Sequence, residues 1–215
     1  LTEIRVFDDI EATKVAIRNT KLYVNKDEGF VGTSLKKDEY VTDCSDIDDI
    51  IMITNEGKMM VSKVDSKIFV GKGIIHVAVF KKKDKRTIYN LVYKDGKGGP
   101  TYIKRFNVTS ITRDRIYDLT TGKSGSQVLY FSANPNGEAE VITVLLRQVG
   151  SIKKLKWDLD FTDVIIKGRA SKGNIVTKYS VKRIELKEKG VSTLKPRKIW
   201  FDDVVRRLNV DGRGE

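Results

Sequence analysis

One unit recurs along most of this sequence: an apolar, β-rich run, a polar turn with glycine, and a second β-rich run. Its copies pair residues 22–24 with 30–31, 50–53 with 59–61, 89–93 with 102–103, 128–131 with 141–142, and 164–166 with 175–176. Short β-rich runs joined by a glycine-containing turn are typical of β-hairpins. The chain is therefore predicted to consist of consecutive hairpins.

The spacing of the turn glycines suggests how the hairpins are arranged. The glycines at 29, 57, 96, 137 and 173 are separated by 28, 39, 41 and 36 residues, which is the size of one four-stranded blade. A further partial copy, residues 198–201 followed by Asp211 and Gly212, has no second strand. We therefore expect an all-β fold of radially repeated blades in which the last blade is incomplete, unless another segment completes it.

Helical periodicity is scarce, and its best stretch, residues 201–208, is too short to indicate a helix of ordinary length. Residues 1–12 contain five acids and no copy of the unit. We interpret residues 1–12 as a linker and residues 13–215 as the β domain.

The charge of the chain narrows the class of partner. Forty-one lysines and arginines against 29 acids give a net charge of +12, which favours a polyanion, with nucleic acid ahead of an anionic membrane surface. No apolar run approaches the roughly 18 residues of a membrane span, and the first residues do not resemble a signal peptide. A cytoplasmic protein without a membrane partner is expected, and the single cysteine, Cys44, excludes a disulfide within the chain.

Three short motifs carry a family resemblance. Residues 99–106 (GPTYIKRF), 54–60 (TNEGKMM) and 70–74 (VGKGI) resemble repeats in the C-terminal domain of the A subunit of bacterial type IIA topoisomerases. The resemblance extends over residues 13–209. It implies a β-pinwheel, a propeller-like fold of about five to six four-stranded blades that exchange strands. In this family the basic rim of the domain binds and bends duplex DNA.

One departure from the family separates its two branches. Gyrase A subunits carry a basic, glycine-rich box after the first hairpin, whereas residues 36–41 here are KKDEYV. The resemblance is therefore closer to topoisomerase IV. It implies sequence-indifferent binding and bending of duplex DNA, which presents DNA to the cleavage core for ATP-dependent strand passage in decatenation or relaxation.

The same resemblance implies the partners and leaves two alternatives. The partners would be duplex DNA, the ATPase B subunit, and the remainder of the A subunit. The parent enzyme would use ATP and Mg, although this chain itself is expected to hold no cofactor. The alternatives are a gyrase A-subunit domain that wraps DNA and a propeller-like protein-interaction module.

The candidate DNA-binding residues are cations next to the turns and in the matching motifs. They are Lys58, Lys63, Lys72, Lys97, Lys104, Arg105, Lys123, Lys172 and Lys178. Residues 81–86, KKKDKR, form the densest basic cluster, but such a cluster taken alone is more often a solvated loop.

No catalytic centre and no metal site are predicted. His76, the only histidine, has no recognisable acid or nucleophile partner, and the aspartates at 46, 48 and 49 lack the glycine and glutamate of a calcium loop. The Gly122-Lys123 pair is preceded by Tyr117 where a phosphate-binding loop needs glycine. The tyrosines at 23, 93, 102 and 130 alternate with apolar residues and are predicted to pack in strands.

Overall fold

The computed structural model describes residues 19–150, 152–196, 198–204 and 206–210, and they form an almost purely β structure. The strands of the first half are β1 (Thr20–Asn25), β2 (Phe30–Gly32), β3 (Glu39–Cys44), β4 (Asp49–Thr54), β5 (Lys58–Lys63), β6 (Ile68–Phe69), β7 (Ile74–Phe80), β8 (Ile88–Lys94) and β9 (Thr101–Asn107). Those of the second half are β10 (Tyr117–Asp118), β11 (Gln127–Asn134), β12 (Glu138–Leu146), β13 (Lys156–Asp160), β14 (Ile166–Gly168), β15 (Asn174–Thr177), β16 (Val181–Ser192), β17 (Ile199–Asp202) and β18 (Arg207–Val210). One short 3-10 helix, Phe161–Asp163, follows β13.

Each blade is built on a hairpin whose first strand also pairs with a third strand. Blade 1 has the order β3-β1-β2, blade 2 β7-β4-β5, blade 3 β11-β8-β9 and blade 4 β16-β12-β13, and all these pairings are antiparallel. β17 and β18 form a further antiparallel hairpin. The described residues thus contain four blades of at least three strands and the hairpin of a fifth.

The blades exchange strands in one direction. The segment between the hairpin and the third strand of one blade reaches back to the open hairpin strand of the blade before it. In this way β6 pairs with β2, β10 pairs with β5, and both β14 and β15 pair with β9. Strand exchange between consecutive blades confirms the predicted pinwheel fold.

Strands β4, β8 and β9 are buried on both faces because blades 2 and 3 each pack between two other blades. Along β4, Ile50 and Met52 pack in a core with Leu22 and Val31 of blade 1. The alternate residues of β4, Ile51 and Ile53, pack against blade 3. Blades 3 and 4 share a third core. The blade 2 and blade 3 core contains Ile51, Ile53, Met59, Val61, Tyr89, Leu91, Tyr93, Tyr102 and Phe106.

The first three predicted hairpins are confirmed, and the later ones need correction. The turn at Gly137 joins β11 of blade 3 to β12 of blade 4, so its two flanking strands belong to different sheets. The true hairpin of blade 4 connects β12 to β13. The runs on either side of Gly173 are β14 and β15, which pair with β9 and not with each other.

The last repeat also differs from its prediction. The second strand that the sequence analysis did not find is β18, and its first two residues belong to the stretch with the best helical periodicity. The proposed linker, residues 1–12, lies outside the described residues. Across the described ranges the structure has no helix long and apolar enough to cross a membrane.

Candidate nucleic-acid interface

The antiparallel strands give the blades two opposite edges. The hairpin turns at residues 26–29, 55–57 and 95–100 lie on one edge, which we call the turn edge. The loops 45–48, 81–87 and 135–137, which lead from one blade to the next, lie on the other, which we call the connection edge. Neighbouring turns are bonded along the turn edge, since Asn55 N–H donates to Gly73 O (2.8 Å) and Gly73 N–H donates to Lys26 O (2.9 Å).

Most of the predicted DNA-binding lysines lie on the turn edge, as their positions beside the turns require. Lys63, at the end of β5, lies on the connection edge. The predicted residues on the turn edge are Lys58, Lys72, Lys97, Lys123, Lys172 and Lys178.

Carboxylates already neutralise part of the turn edge. Lys58 is paired with Asp118. Lys123 Nζ lies 3.0 Å from the buried carboxylate of Asp95. Burial raises the pKa of Asp95, but hydrogen bonds from Thr121 and Lys123 outweigh burial and lower it overall. These two lysines would have to exchange a protein carboxylate for a phosphate in order to bind DNA.

The other lysines of this edge are more available. Lys72, Lys97 and Lys178 are exposed and form no ion pair with the described residues. Lys172 is exposed and lies over the ring of Tyr102, with Nζ 4.8 Å from the ring centroid. A hydrogen bond with Tyr102 raises the pKa of Lys172, so this side chain stays charged at neutral pH.

Lys104 is not on the surface. The residue is 2% exposed, and its Nζ donates to Arg169 O (2.8 Å) and Ser171 O (2.9 Å). The ammonium group also lies 4.9 Å from the ring centroid of Phe106. Burial lowers the pKa of Lys104 to about 8. Lys104 therefore fastens the segment between β14 and β15 to blade 3 and cannot reach a phosphate in this fold.

Arg105 is also 2% exposed, and its guanidinium joins blades 3 and 4. Its Nε donates to Asn90 Oδ1 (3.1 Å), Nη1 to Phe161 O (3.2 Å), and Nη2 to Gly137 O (3.0 Å) and Thr193 Oγ1 (3.1 Å). Burial lowers the pKa of Arg105, although Asp160 and Glu140 act in the opposite direction. The structure thus assigns Lys104 and Arg105 to the interior, and we remove both from the candidate interface.

The loop of residues 81–86 is better ordered than a charge run alone indicates. Asp84, its only acid, accepts from Arg86 N–H (2.8 Å) and from the hydroxyl of Thr87 (2.7 Å). Lys83 N–H donates to Thr109 O (3.1 Å). Lys81, Lys82, Lys83 and Lys85 are all exposed. This loop adds a cationic surface on the connection edge that repeat spacing did not indicate.

The side chains that were considered for catalysis or metal binding pack in the core or cap turns. His76 packs against Tyr89 and Phe131, with ring centroids 6.0 and 5.2 Å away, and burial lowers its pKa to about 4. Asp48 caps a turn by accepting from Ser45 N–H (2.9 Å). Within the described ranges, no three His, Cys, Asp or Glu side chains are grouped so that they could hold a metal.

Three comparisons relate the chain to known proteins. It is 24% identical over 187 residues to the A subunit of DNA topoisomerase 4 from Borreliella burgdorferi, and the match covers 86% of this chain and 28% of that relative. A crystal structure of the C-terminal domain of DNA topoisomerase IV aligns over 83% of this chain and 64% of that structure, with a TM-score of 0.47 and 12% identity. The model of the family described as topoisomerase C-terminal domain, Bacteroidota, matches residues 21–189. Because that match spans well over half of the 215 residues, the chain belongs to this family of topoisomerase C-terminal domains.

Proposed function

We propose that this domain binds and bends duplex DNA without regard to sequence, as part of the A subunit of a topoisomerase IV-like enzyme. The observation that carries the proposal is the set of exposed lysines on both edges of the blades. They are Lys72, Lys97 and Lys172 on the turn edge, and Lys81, Lys82, Lys83 and Lys85 on the connection edge. The net charge of +12 and the family membership support it.

The form of this surface favours phosphate contacts over reading of bases. The described residues contain no α-helix that could enter a major groove, and the cations are borne by turns and loops. Contacts to phosphate position a protein on DNA but carry no sequence information. Bending a site of 20–30 base pairs costs about 1–6 kcal/mol, which several lysine contacts could offset at modest salt.

In the whole enzyme the domain would hold DNA near the cleavage core of the A subunit. ATP and Mg would be used by other parts of the enzyme, and the B subunit would supply the ATPase. The chain spans 28% of the length of its topoisomerase 4 relative, so most of such an A subunit lies outside the matched region. We expect the domain alone neither to cleave nor to relax supercoiled plasmid.

Fluorescence anisotropy with labelled duplexes of two unrelated sequences, at 50 to 200 mM salt, tests the proposal. If about five phosphates are neutralised, log K falls with log salt at a slope near −4.5, a loss of about 500-fold over this range. The two duplexes should bind within about threefold of each other. No binding at 50 mM salt would refute the proposal and favour a protein-interaction module.

A further inference from the structure

We propose that the principal phosphate-contacting surface is on the connection edge, between blades 2 and 3, and not on the turn edge. This inference rests on the proposed DNA binding. We name the surface the basic connection surface, and it consists of Lys81, Lys82, Lys83, Lys85, Arg115 and Arg169.

The backbone of the loop is folded so that its lysines face outward together. Asp84 N–H donates to Lys81 O (3.2 Å), which closes a turn, and Lys83 takes a left-handed φ of 62°. The carboxylate of Asp84 accepts hydrogen bonds from Arg86 N–H and from the hydroxyl of Thr87. Arg86 Nη1 donates to Lys195 O (3.0 Å) and so ties the loop to the segment after β16. The loop thus presents four exposed ammonium groups on a fixed backbone.

Two arginines extend this surface. Arg115 and Arg169 lie against the ring of Tyr117, with their guanidinium carbons 5.4 and 4.3 Å from its centroid. Arg169 Nη1 donates to Ser110 O (2.6 Å), next to Thr109, which accepts from Lys83 N–H. The arginine pair and the lysine loop are therefore neighbours. A guanidinium held on an aromatic ring is oriented before it meets an anion, so less side-chain entropy is lost on binding.

The clustering of unpaired cations distinguishes the two edges. On the turn edge, Lys58, Lys123 and Lys26 are paired with Asp118, Asp95 and Glu39, and the unpaired lysines are spread over separate turns. On the connection edge, the four loop lysines form no ion pair with any residue that the structure describes. Clustered like charges repel one another, and a polyanion relieves that repulsion. Duplex DNA, with one charge per about 1.7 Å of its axis, can meet several of these cations at once.

Two triple variants with equal changes of charge test the inference. Lys81→Gln/Lys82→Gln/Lys85→Gln alters the loop but spares Lys83, which has the left-handed backbone, and Arg86, which ties the loop in place. Lys72→Gln/Lys97→Gln/Lys172→Gln is the matched control on the turn edge. All six side chains are exposed, so both variants should unfold at the temperature of the unaltered protein.

Affinity for a 25-base-pair duplex is measured by anisotropy against salt. The loop variant should flatten the salt slope by about two to three units and weaken binding at least about tenfold at 100 mM salt. The control should change the slope by less than about one unit. A larger loss in the control, or no loss in the loop variant, would overturn the inference while leaving DNA binding intact. If the unaltered protein does not bind, the proposed function itself fails.

Discussion

Replacing Arg105 with methionine tests whether this side chain joins two blades or contacts DNA. Methionine keeps much of the apolar stem but removes the guanidinium, which donates to four acceptors at 3.0–3.2 Å. The acceptors are contributed by Asn90 of blade 3 and by residues in and around blade 4. The substitution should therefore weaken the contact between these two blades.

The loss of stability depends on which hydrogen-bond donors each acceptor keeps after the guanidinium is removed. Gly137 O still accepts from Thr193 N–H, and Phe161 O still accepts from Val164 N–H. Asn90 Oδ1 loses its donor, and Glu140 and Asp160 lose a nearby cation. Removing one member of a buried charged network costs about 3–5 kcal/mol, and the retained donors favour the lower end. We expect Arg105→Met to lower the free energy of unfolding by about 3 kcal/mol.

Urea unfolding followed by far-ultraviolet circular dichroism measures this change. Arg183→Met is the matched control, because the Arg183 side chain is 58% exposed and, among the described residues, forms an ion pair only with the half-exposed Glu185. This variant should change the free energy of unfolding by less than about 0.5 kcal/mol. Arg105→Lys keeps the positive charge but not the forked donors of the guanidinium. Its free energy of unfolding should therefore lie between those of the unaltered protein and Arg105→Met.

Two results would contradict this account of Arg105. A loss in Arg105→Met of less than about 1 kcal/mol would show that the guanidinium is not needed to hold blades 3 and 4 together. In folded Arg105→Met, a salt slope for DNA binding flattened by about one unit would show that Arg105 reaches a phosphate after all.

Three further predictions concern a buried histidine, a glycine that lies against a neighbouring strand, and a buried carboxylate. Burial lowers the pKa of His76 to about 4, so the folded state resists protonation, and stability present above about pH 6.5 is lost as the pH falls towards 4. Between pH 7 and pH 4.5, the unaltered protein should lose about 2 kcal/mol more of its free energy of unfolding than His76→Leu, as measured by urea unfolding; equal losses would contradict this prediction. A Cβ at Gly190 would lie 1.3 Å from Ala139 O, whereas one at Gly168 meets nothing within 4 Å. Gly190→Ala should therefore lower the melting temperature by several degrees and Gly168→Ala should not, and equal melting curves would refute this. Lys123→Met should raise the pKa of Asp95, measured by NMR titration of its carboxyl carbon, because a hydrogen bond and a positive charge are lost; an unchanged value would show that Lys123 does not act on Asp95.

The sequence predicted the repeat but not which turns belong to hairpins. Gly57 closes a hairpin within blade 2, whereas Gly137 links two blades, yet both follow an apolar run and have a positive φ. A local pattern cannot distinguish these cases, because pairing depends on strands that are distant in the sequence. The exchange strands β6 and β10 have two residues each, which is too short for any periodic signal.

The sequence also located the lysines without showing their surroundings. Ion pairs such as that of Lys58 with Asp118 join residues 60 positions apart and leave no local trace. One misplacement could have been avoided: Lys104 and Arg105 stand in a strand with Tyr102, Ile103 and Phe106, so apolar residues occupy both of its faces. A strand of that kind is buried on both sides, and its cations are expected to be buried with it.

The backward exchange of strands also has a consequence for synthesis. As the chain leaves the ribosome, blade 1 has its first three strands once residue 44 has emerged, but its fourth, β6, comes only after the hairpin of blade 2. Blade 3 is likewise incomplete until β14 and β15 have been synthesised, and β14 begins about 60 residues after the end of β9. At any moment the newest blade therefore exposes the unpaired backbone of a hairpin strand, an edge to which other nascent chains can add. Each blade thus becomes complete only while the next blade is being synthesised. A pause after residue 134 would leave the edge of β9 open to intermolecular pairing.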